Sequence, residues 1–323
     1  MIDKKTIVKN IPLAVKTVSF PKLGKKKSGK VRDWYIKNSL RILIATDRIS
    51  AFDKVLGLVP FRGVVLNKLS EFWFNKTRDI CANHMIGTID PNVMLVSECQ
   101  ALPVEVVVRA YITGVTDTSL WKKYSDGERV IYGIKFPEGL TKSQQLKKPL
   151  ITPTTRATGP GGHDEPITAA EIIKKKLVSE KTWRQIEKIA LRLFQRGTHI
   201  CEKAGFILAD TKYEFGLDKG GKITLIDEIH TPDSSRLWLK KSYKERFRKG
   251  QEVESYDKEI MRLWFVKQGY RGHGRAPQMP TEVVANIAQR YIQVFEKITG
   301  EKFEIDLSIF PKQRIQDALS KLI

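Results

Sequence analysis

The sequence predicts an α+β protein, and three observations carry that prediction. Runs of β-branched and aromatic residues bounded by turn signals fill the first half. Amphipathic stretches with capping residues dominate much of the second half, and a hairpin rich in charged residues lies between two of them. The chain has 323 residues, enough for one large or two tightly packed domains, and its 41% hydrophobic and 29% charged residues are the composition of a globular protein with a sizeable core.

The first ten residues carry charge from the third onward and contain no apolar h-region, and no later run reaches the ~18 apolar residues that a membrane span requires. Three cysteines, Cys81, Cys99 and Cys201, are odd in number and lack a CxxC pair. They suggest neither a disulfide framework nor a zinc knuckle, so a reducing, cytoplasmic location is expected. Residues 41–46 (RILIAT) and 105–113 (EVVVRAYIT) read as strands. Residues 136–166 carry Pro137, Pro149, Pro153 and Pro160 with Gly159, Gly161 and Gly162, so a long functional loop is expected there rather than regular structure.

Helices follow. Thr168 with Glu171 makes a capping box, and Ser179 caps a second helix. In that second helix Trp183, Ile186, Ala190, Leu193, Phe194 and Ile200 recur at helical spacing, with Gly205 as the stop; such a stripe is core. Near the end Val284, Ile287, Tyr291, Phe295 and Ile298 repeat the pattern before Gly300, and no internal repeat is visible.

A formal net charge of +21 raises the question of a nucleic-acid partner. Lysines and arginines are scattered along the chain, densest at residues 25–27, 174–176 and 240–249, without an aromatic-interleaved RNP-like run or paired zinc ligands. Nucleic-acid binding is therefore not expected. A basic proteome or a site for polyanionic small molecules accounts for the charge equally well.

The most informative segment is the hairpin formed by residues 205–215 (GFILADTKYEF) and 222–229 (KITLIDEI) around Gly220 and Gly221. Counting outward from a two-residue turn at Gly220 and Gly221 sets Glu214 opposite Asp227 on one face, a four-residue turn at 218–221 keeps both on the same face, and alternation adds Asp210 and Lys212 to it. Like charges directly opposite destabilise a sheet, so either a divalent cation such as Mg²⁺ relieves the repulsion, or the face is polar surface with Lys212 neutralising one acid.

Residues 24–31 (GKKKSGKV) have the GxxxxGK spacing of a phosphate loop, but Val31 stands where a Ser or Thr should bind metal, and VRDWYI reads as a strand rather than a helix. This is not a P-loop. Gly29 with Lys30 and Arg32 still suits a backbone approach to phosphates held by two cations; a basic surface turn is the plainer reading.

Taken together, GKVRDWY (29–35), ATDRISAFD (45–53), LNKLSEFWF (66–74), LPVEVVVRAYITG (102–114), ITPTTRA (151–157), GHDE (162–165), ILADTKYEFG (207–216) and LIDEIHTPDSSRLW (225–238) resemble the SAICAR synthetase family in its longer single-chain form, in order and spacing. The resemblance implies a two-lobed fold: a β-rich ATP lobe at residues 1–110, resembling that of kinases, and a mixed sheet-and-helix lobe at 111–323 that holds the ribotide and Mg²⁺ sites and the C-terminal helices.

It also implies site roles. Gly29, Lys30, Val31 and Arg32 would approach ATP, and Glu214 and Asp227 would hold Mg²⁺. Asp210, Lys212 and Arg236 would be catalytic. Arg109, Ser119, Asp47 and Ser50 would meet the substrates, carboxyaminoimidazole ribotide (CAIR) and L-aspartate. Two departures from the family pattern stand out: residues 115–118 lengthen the loop before Ser119, and Arg156 replaces a lysine, keeping the charge while changing donor geometry.

The implied reaction phosphorylates the ribotide carboxylate from ATP and lets the aspartate amine displace phosphate, giving SAICAR, ADP and phosphate in de novo purine biosynthesis. It needs no nucleophilic side chain. His163 and Asp164 lack a GxSxG elbow and are expected to order the loop rather than form a hydrolase dyad. A kinase is the alternative enzyme, disfavoured by the absence of HRD and DFG motifs, and a basic nucleic-acid module is the alternative outside enzymes.

Overall fold

The computed structural model describes residues 2–116, 118–156 and 164–323. His163 and the glycine cluster at 159–162 lie outside them. After α1 (Lys4–Asn10) and two short 3₁₀ turns, the chain enters a five-stranded antiparallel sheet built from β1 (Lys27–Ser28), β2 (Arg32–Lys37), β3 (Leu40–Ala45), β6 (Met85–Asp90) and β7 (Val93–Ser97), in the order β1-β2-β3-β7-β6. A ribbon of β4 (Arg48–Ala51) and β5 (Lys54–Leu58) and then α2 (Arg62–Lys76) are inserted between β3 and β6. The sequence reading did not single out α2. Its buried side includes Arg62, Asn67 and Ser70, so polarity does not separate its two faces and no clean apolar period marks it as a helix.

The second sheet is centred on the long β8 (Gln100–Ile112) and β13 (Phe206–Leu217). Its path is β11 (Gln144–Ile151), β8, β13, β14 (Ile223–Ile226), with β12 (Thr154–Thr155) also on β8 and β15 (Ser235–Leu239) also on β13. Between β8 and β11 come α3 (Leu120–Ser125) and a ribbon of β9 (Val130–Ile131) and β10 (Ile134–Lys135). The expected loop at 136–166 therefore contains strands. Prolines are tolerated there because β11 is an edge strand whose register breaks between Gln145 and Leu150, where Pro149 has no N–H to give.

Helices α4 (Ala169–Lys174) and α5 (Glu180–Lys203) follow. Thr168 and Glu171 form the expected capping box, Ser179 accepts from the Thr182 amide, and Gly205 takes a positive φ of 82° after the last turn. Then come α6 (Lys240–Arg248), α7 (Glu259–Lys267), α8 (Thr281–Thr299) and α9 (Pro311–Ser320). The predicted stripes of α5 and α8 are buried except for the half-buried Ile200, and with α2 and the back of the β8–β13 sheet they form one large core.

A boundary at residue 110 would cut β8, which pairs with β13 along its length, whereas the first sheet ends with β7 at Ser97. The C-terminal helices do not all stay with the second sheet either. Ile315 and Leu319 of α9 pack against Tyr35, Ile42, Ile44 and Val93 of the first sheet, and Arg314 pairs with Asp90 there. Chain order and spatial unit separate because an amphipathic helix docks wherever an uncovered apolar sheet face remains.

Candidate active site

Strand β13 builds the site. Period-2 alternation sends Asp210, Lys212 and Glu214 to one face and Tyr213 and Phe215 to the core behind it. The neighbouring strands decide what faces them. Asp210 is in register with Arg109 of β8 and with Arg236 of β15, and Glu214 with Glu105 of β8.

At one end of this face Arg109 Nη1 and Arg236 Nη1 both donate to Asp210 Oδ2, at 2.9 and 2.7 Å. Arg109 Nε also donates to Thr152 Oγ1 at 2.8 Å. Glu259 lies 3.4 Å from Arg236 and 2.8 Å from Arg262. Three guanidiniums thus meet two carboxylates, a surplus of positive charge in a buried place, which suits an anion. Gly114, at φ 103°, is required here: a Cβ would sit 2.4 Å from the Ser119 Cβ and 2.7 Å from Arg236 Nη2. That close approach brings Ser119 beside Arg236. The Ser119 hydroxyl donates to the Thr116 carbonyl at 2.6 Å, so the lengthened loop closes on its own serine.

At the other end Lys212 Nζ bridges Glu105 Oε1 at 2.5 Å and Glu214 Oε1 at 2.7 Å. Burial pushes Glu105 up to about 7 against the pull of Lys212. Burial works the same way on Glu214, but Lys212, Arg156 and Arg32 outweigh it and hold this carboxyl down to about 2. Glu214 Oε2 is buried, accepts no hydrogen bond from the described residues and faces Arg156 at 3.3 Å.

Asp227 arrives differently from the sequence count. The turn has three residues, Lys219, Gly220 and Gly221, between Asp218 and Lys222, whose main chains bond, with Gly221 at φ 76° and the Asp218 carboxylate accepting from the amides of Gly220 and Lys222. This odd count shifts the register by one, so Glu214 stands opposite Ile226 rather than Asp227. The ladder ends at Ile226. Asp227, at φ 69°, turns out of the strand to Arg32, which also pairs with Glu228 at 3.1 Å. Burial, with Glu214 and Glu228 nearby, pushes Asp227 up to about 6 despite Arg32.

The glycine segment forms a tight hairpin, with the Gly29 amide bonded to the Arg32 carbonyl at 2.8 Å. Lys30 and Val31 occupy its tip. The guanidinium of Arg48, which sequence reasoning missed, braces the turn by donating to the carbonyls of Lys30 and Gly29 and to Asp33. Lys30 pairs with Asp53 in a half-exposed bridge.

Two expected substrate residues are not brought to the charged face. The Asp47 carboxylate is buried and committed to the amides of Val15 at 2.7 Å and Gly63 at 2.8 Å, so it ties the chain to the start of α2; burial pushes it up to about 6. Ser50 is buried within the β4–β5 ribbon, paired with Val55. Glu105 was also missed, although it shares the parity of Arg109 in an otherwise apolar run and could have been read from that.

Between the two sheets Arg32 and Asp227 open onto a small cleft walled by Leu43, Ala45, Leu66 and Met94. Among the described residues no three His, Cys, Asp or Glu side chains converge into a ready-made metal site. Two hard oxygen donors, Glu214 and Asp227, beside a basic glycine turn nonetheless fit Mg²⁺ that arrives with a nucleotide, because it keeps waters and phosphate oxygens as its other ligands. The unbonded Glu214 Oε2 fits such a role.

Fold and site together define an α+β enzyme with two antiparallel sheets, buried arginines at one end of a charged strand face and a glycine hairpin at the other. The SAICAR synthetase family model matches residues 25–277. The phosphoribosylaminoimidazole-succinocarboxamide synthase of Legionella pneumophila (strain Lens) is 49% identical over 298 residues, 92% of this chain and 94% of that relative. SAICAR synthase from Saccharomyces cerevisiae complexed with SAICAR superposes with a TM-score of 0.77 at 32% identity, covering 90% of this chain and 100% of that one. A SAICAR synthetase in complex with ADP gives 0.66 at 25% identity, covering 87% and 100%. The chain belongs to the SAICAR synthetase family, the ATP-dependent carbon–nitrogen ligases that join carboxyaminoimidazole ribotide to L-aspartate in purine biosynthesis.

Proposed function

We propose that the charged face of the β8–β13–β15 sheet is where this chain holds the ribotide, with ATP entering from the glycine hairpin. The observation that carries this reading is the placement of Arg109, Asp210, Lys212, Glu214 and Arg236 on one face from three strands. Arg109, Arg236 and Ser119 bind the phosphate end of the ribotide, where the guanidinium surplus lies, and Asp210 keeps both arginines in a fixed fork. Lys30 and Arg32 meet the nucleotide's phosphates.

Magnesium would be held by Glu214 and Asp227 and would supply charge neutralisation for those phosphates. Lys212, positioned by Glu105 and Glu214, stands where the ribotide carboxylate and the transferred phosphoryl meet, and stabilises negative charge as it moves between them. A carboxylate is a poor acyl acceptor. Phosphorylation makes it one, and the aspartate amine then displaces phosphate. The related protein described in complex with SAICAR supports the product, and the one described in complex with ADP supports the nucleotide.

We place the reaction in the cytoplasm, since Cys81, Cys99 and Cys201 are all free thiols. Among the described residues no helix is long and apolar enough to cross a membrane. The test is ADP release by the purified protein with ATP, CAIR and L-aspartate, omitting each in turn. Sustained ADP release over many turnovers is expected only when all three are present; continued turnover at the full rate without aspartate would mean that the aspartate step is wrongly assigned.

A further inference from the structure

The segment that carries Asp227 and Glu228 is held to the strand that carries Lys212 and Glu214 from behind, through His230. This residue is fully buried at a left-handed φ of 50°, three positions after the left-handed Asp227. Its ring fills a slot made by three elements. Nε2 lies 2.6 Å from the hydroxyl of Tyr213 in β13, and Trp73 of α2 meets the ring edge-on at 4.6 Å between centroids. Gly197 of α5 leaves room for it: a Cβ there would come within 2.4 Å of the His230 Cε1. Among the described residues Nδ1 makes no hydrogen bond, and Tyr213 is the ring's one polar attachment.

Tyr213 sits between Lys212 and Glu214 but on the opposite face of β13. With the ladder ending at Ile226, nothing in the β13–β14 register fixes where Asp227 lies relative to Glu214. We propose that His230 is a positioning residue, which through its bond to Tyr213 and its slot at Gly197 sets the separation of Asp227 from Glu214. This rests on the reading of those two acids as the magnesium pair. Most of the segment's other polar ties, Thr231 to Glu228 and Asp233 to Arg62, Lys258 and Tyr291, leave β13 untouched. Two ties do reach β13, Thr211 to Ser235 at 2.7 Å and the Lys212 amide to the Ser234 carbonyl at 2.9 Å, but both lie at the far end of the segment, beyond His230 from Asp227.

The experiment measures ADP binding by calorimetry across a Mg²⁺ titration, with melting temperature alongside, for Tyr213→Phe, His230→Leu and His230→Gln. Phenylalanine keeps the ring packing, and the glutamine amide reaches the position of Nε2. Loss of one buried hydrogen bond corresponds to roughly a fivefold change in an equilibrium. The half-saturating Mg²⁺ is therefore expected to rise about fivefold in Tyr213→Phe and His230→Leu and to return toward wild type in His230→Gln, while the Michaelis constant for the ribotide stays put. A lower melting temperature with wild-type Mg²⁺ half-saturation in Tyr213→Phe and His230→Leu would overturn the proposal and leave His230 as core packing. If His230→Leu does not fold, Tyr213→Phe decides alone by the same criterion. Glu214→Gln and Asp227→Asn in the same assay separate the two ideas. If they too keep wild-type Mg²⁺ dependence, the metal assignment itself fails; if only they lose it, the positioning role fails.

Discussion

The two cationic ends of the cleft are built on opposite terms. At the proposed ribotide end Arg109 and Asp210 have side chains only 6% and 5% exposed, and Asp210 is paired with the buried guanidiniums of Arg109 and Arg236. At the hairpin end Lys30 and Asp53 are 48% and 43% exposed. Buried, mutually bonded charges are expensive to desolvate but rigid, and removing one strands its partners. An exposed pair contributes little and rearranges freely. The proposed ribotide end is therefore rigid, with its geometry set by folding, whereas the proposed nucleotide cation at the hairpin is free to move with its ligand.

The sharpest way to break this comparison is Arg236→Ala. It leaves Asp210 with one arginine and Glu259 with Arg262 alone, so a loss of about 3–5 kcal/mol in denaturant unfolding is expected. Ribotide use should be impaired while ADP affinity stays near wild type, with Arg109→Ala following the same pattern. An equal loss of ADP affinity would mean that the two ends are not separate.

Asp47→Ala should come next, at roughly 2–4 kcal/mol, because two buried amides lose their acceptor. Its substrate Michaelis constants should hold, unlike those of Arg236→Ala. The pH dependence has a definite sign. The folded carboxyl, raised to about 6, binds its proton more tightly than the unfolded one, so its contribution to stability is present at low pH and declines as the pH rises from about 4 to 6. Asp47→Asn should remove that decline from an unfolding-against-pH profile.

Glu214→Gln and Asp227→Asn test the comparison within the acid pair. Both should lose Mg²⁺-dependent turnover. Their metal-free stabilities should diverge. Glu214 is depressed to about 2, so its contribution is present above about pH 4.5 and lost as the pH falls toward 2; the amide should cost about 1–3 kcal/mol at neutral pH. Asp227 is raised to about 6 and sits at a left-handed φ that asparagine accepts, so its amide should leave the melting temperature unchanged or higher. A fall in both would show that the pair is held chiefly by its ion pairs.

The smallest effect belongs to Lys30→Ala. Its stability should change by less than ~1 kcal/mol and its ATP Michaelis constant should rise with lower turnover. ATP kinetics identical to wild type would exclude the hairpin from the nucleotide site.

Local pattern determined a good deal by itself. The alternation of Asp210, Lys212 and Glu214, the caps at Thr168 and Ser179, and the apolar stripes of α5 and α8 all follow from side-chain periodicity and backbone hydrogen-bond needs that a short stretch of sequence specifies completely. The tertiary structure decided what depends on parity and on distant partners. Two glycines permit turns of two, three or four residues, and the choice of three was settled by the Asp218 carboxylate and by the pairing of β13 with β8, which moved Asp227 off the strand. Asp47 was indistinguishable from a substrate ligand until the amides of Val15 and Gly63 closed around it. Helix α9 could not be assigned to the first sheet from its own stripe, because an apolar face states only that it needs a partner, and which surface remains uncovered is a property of the whole fold.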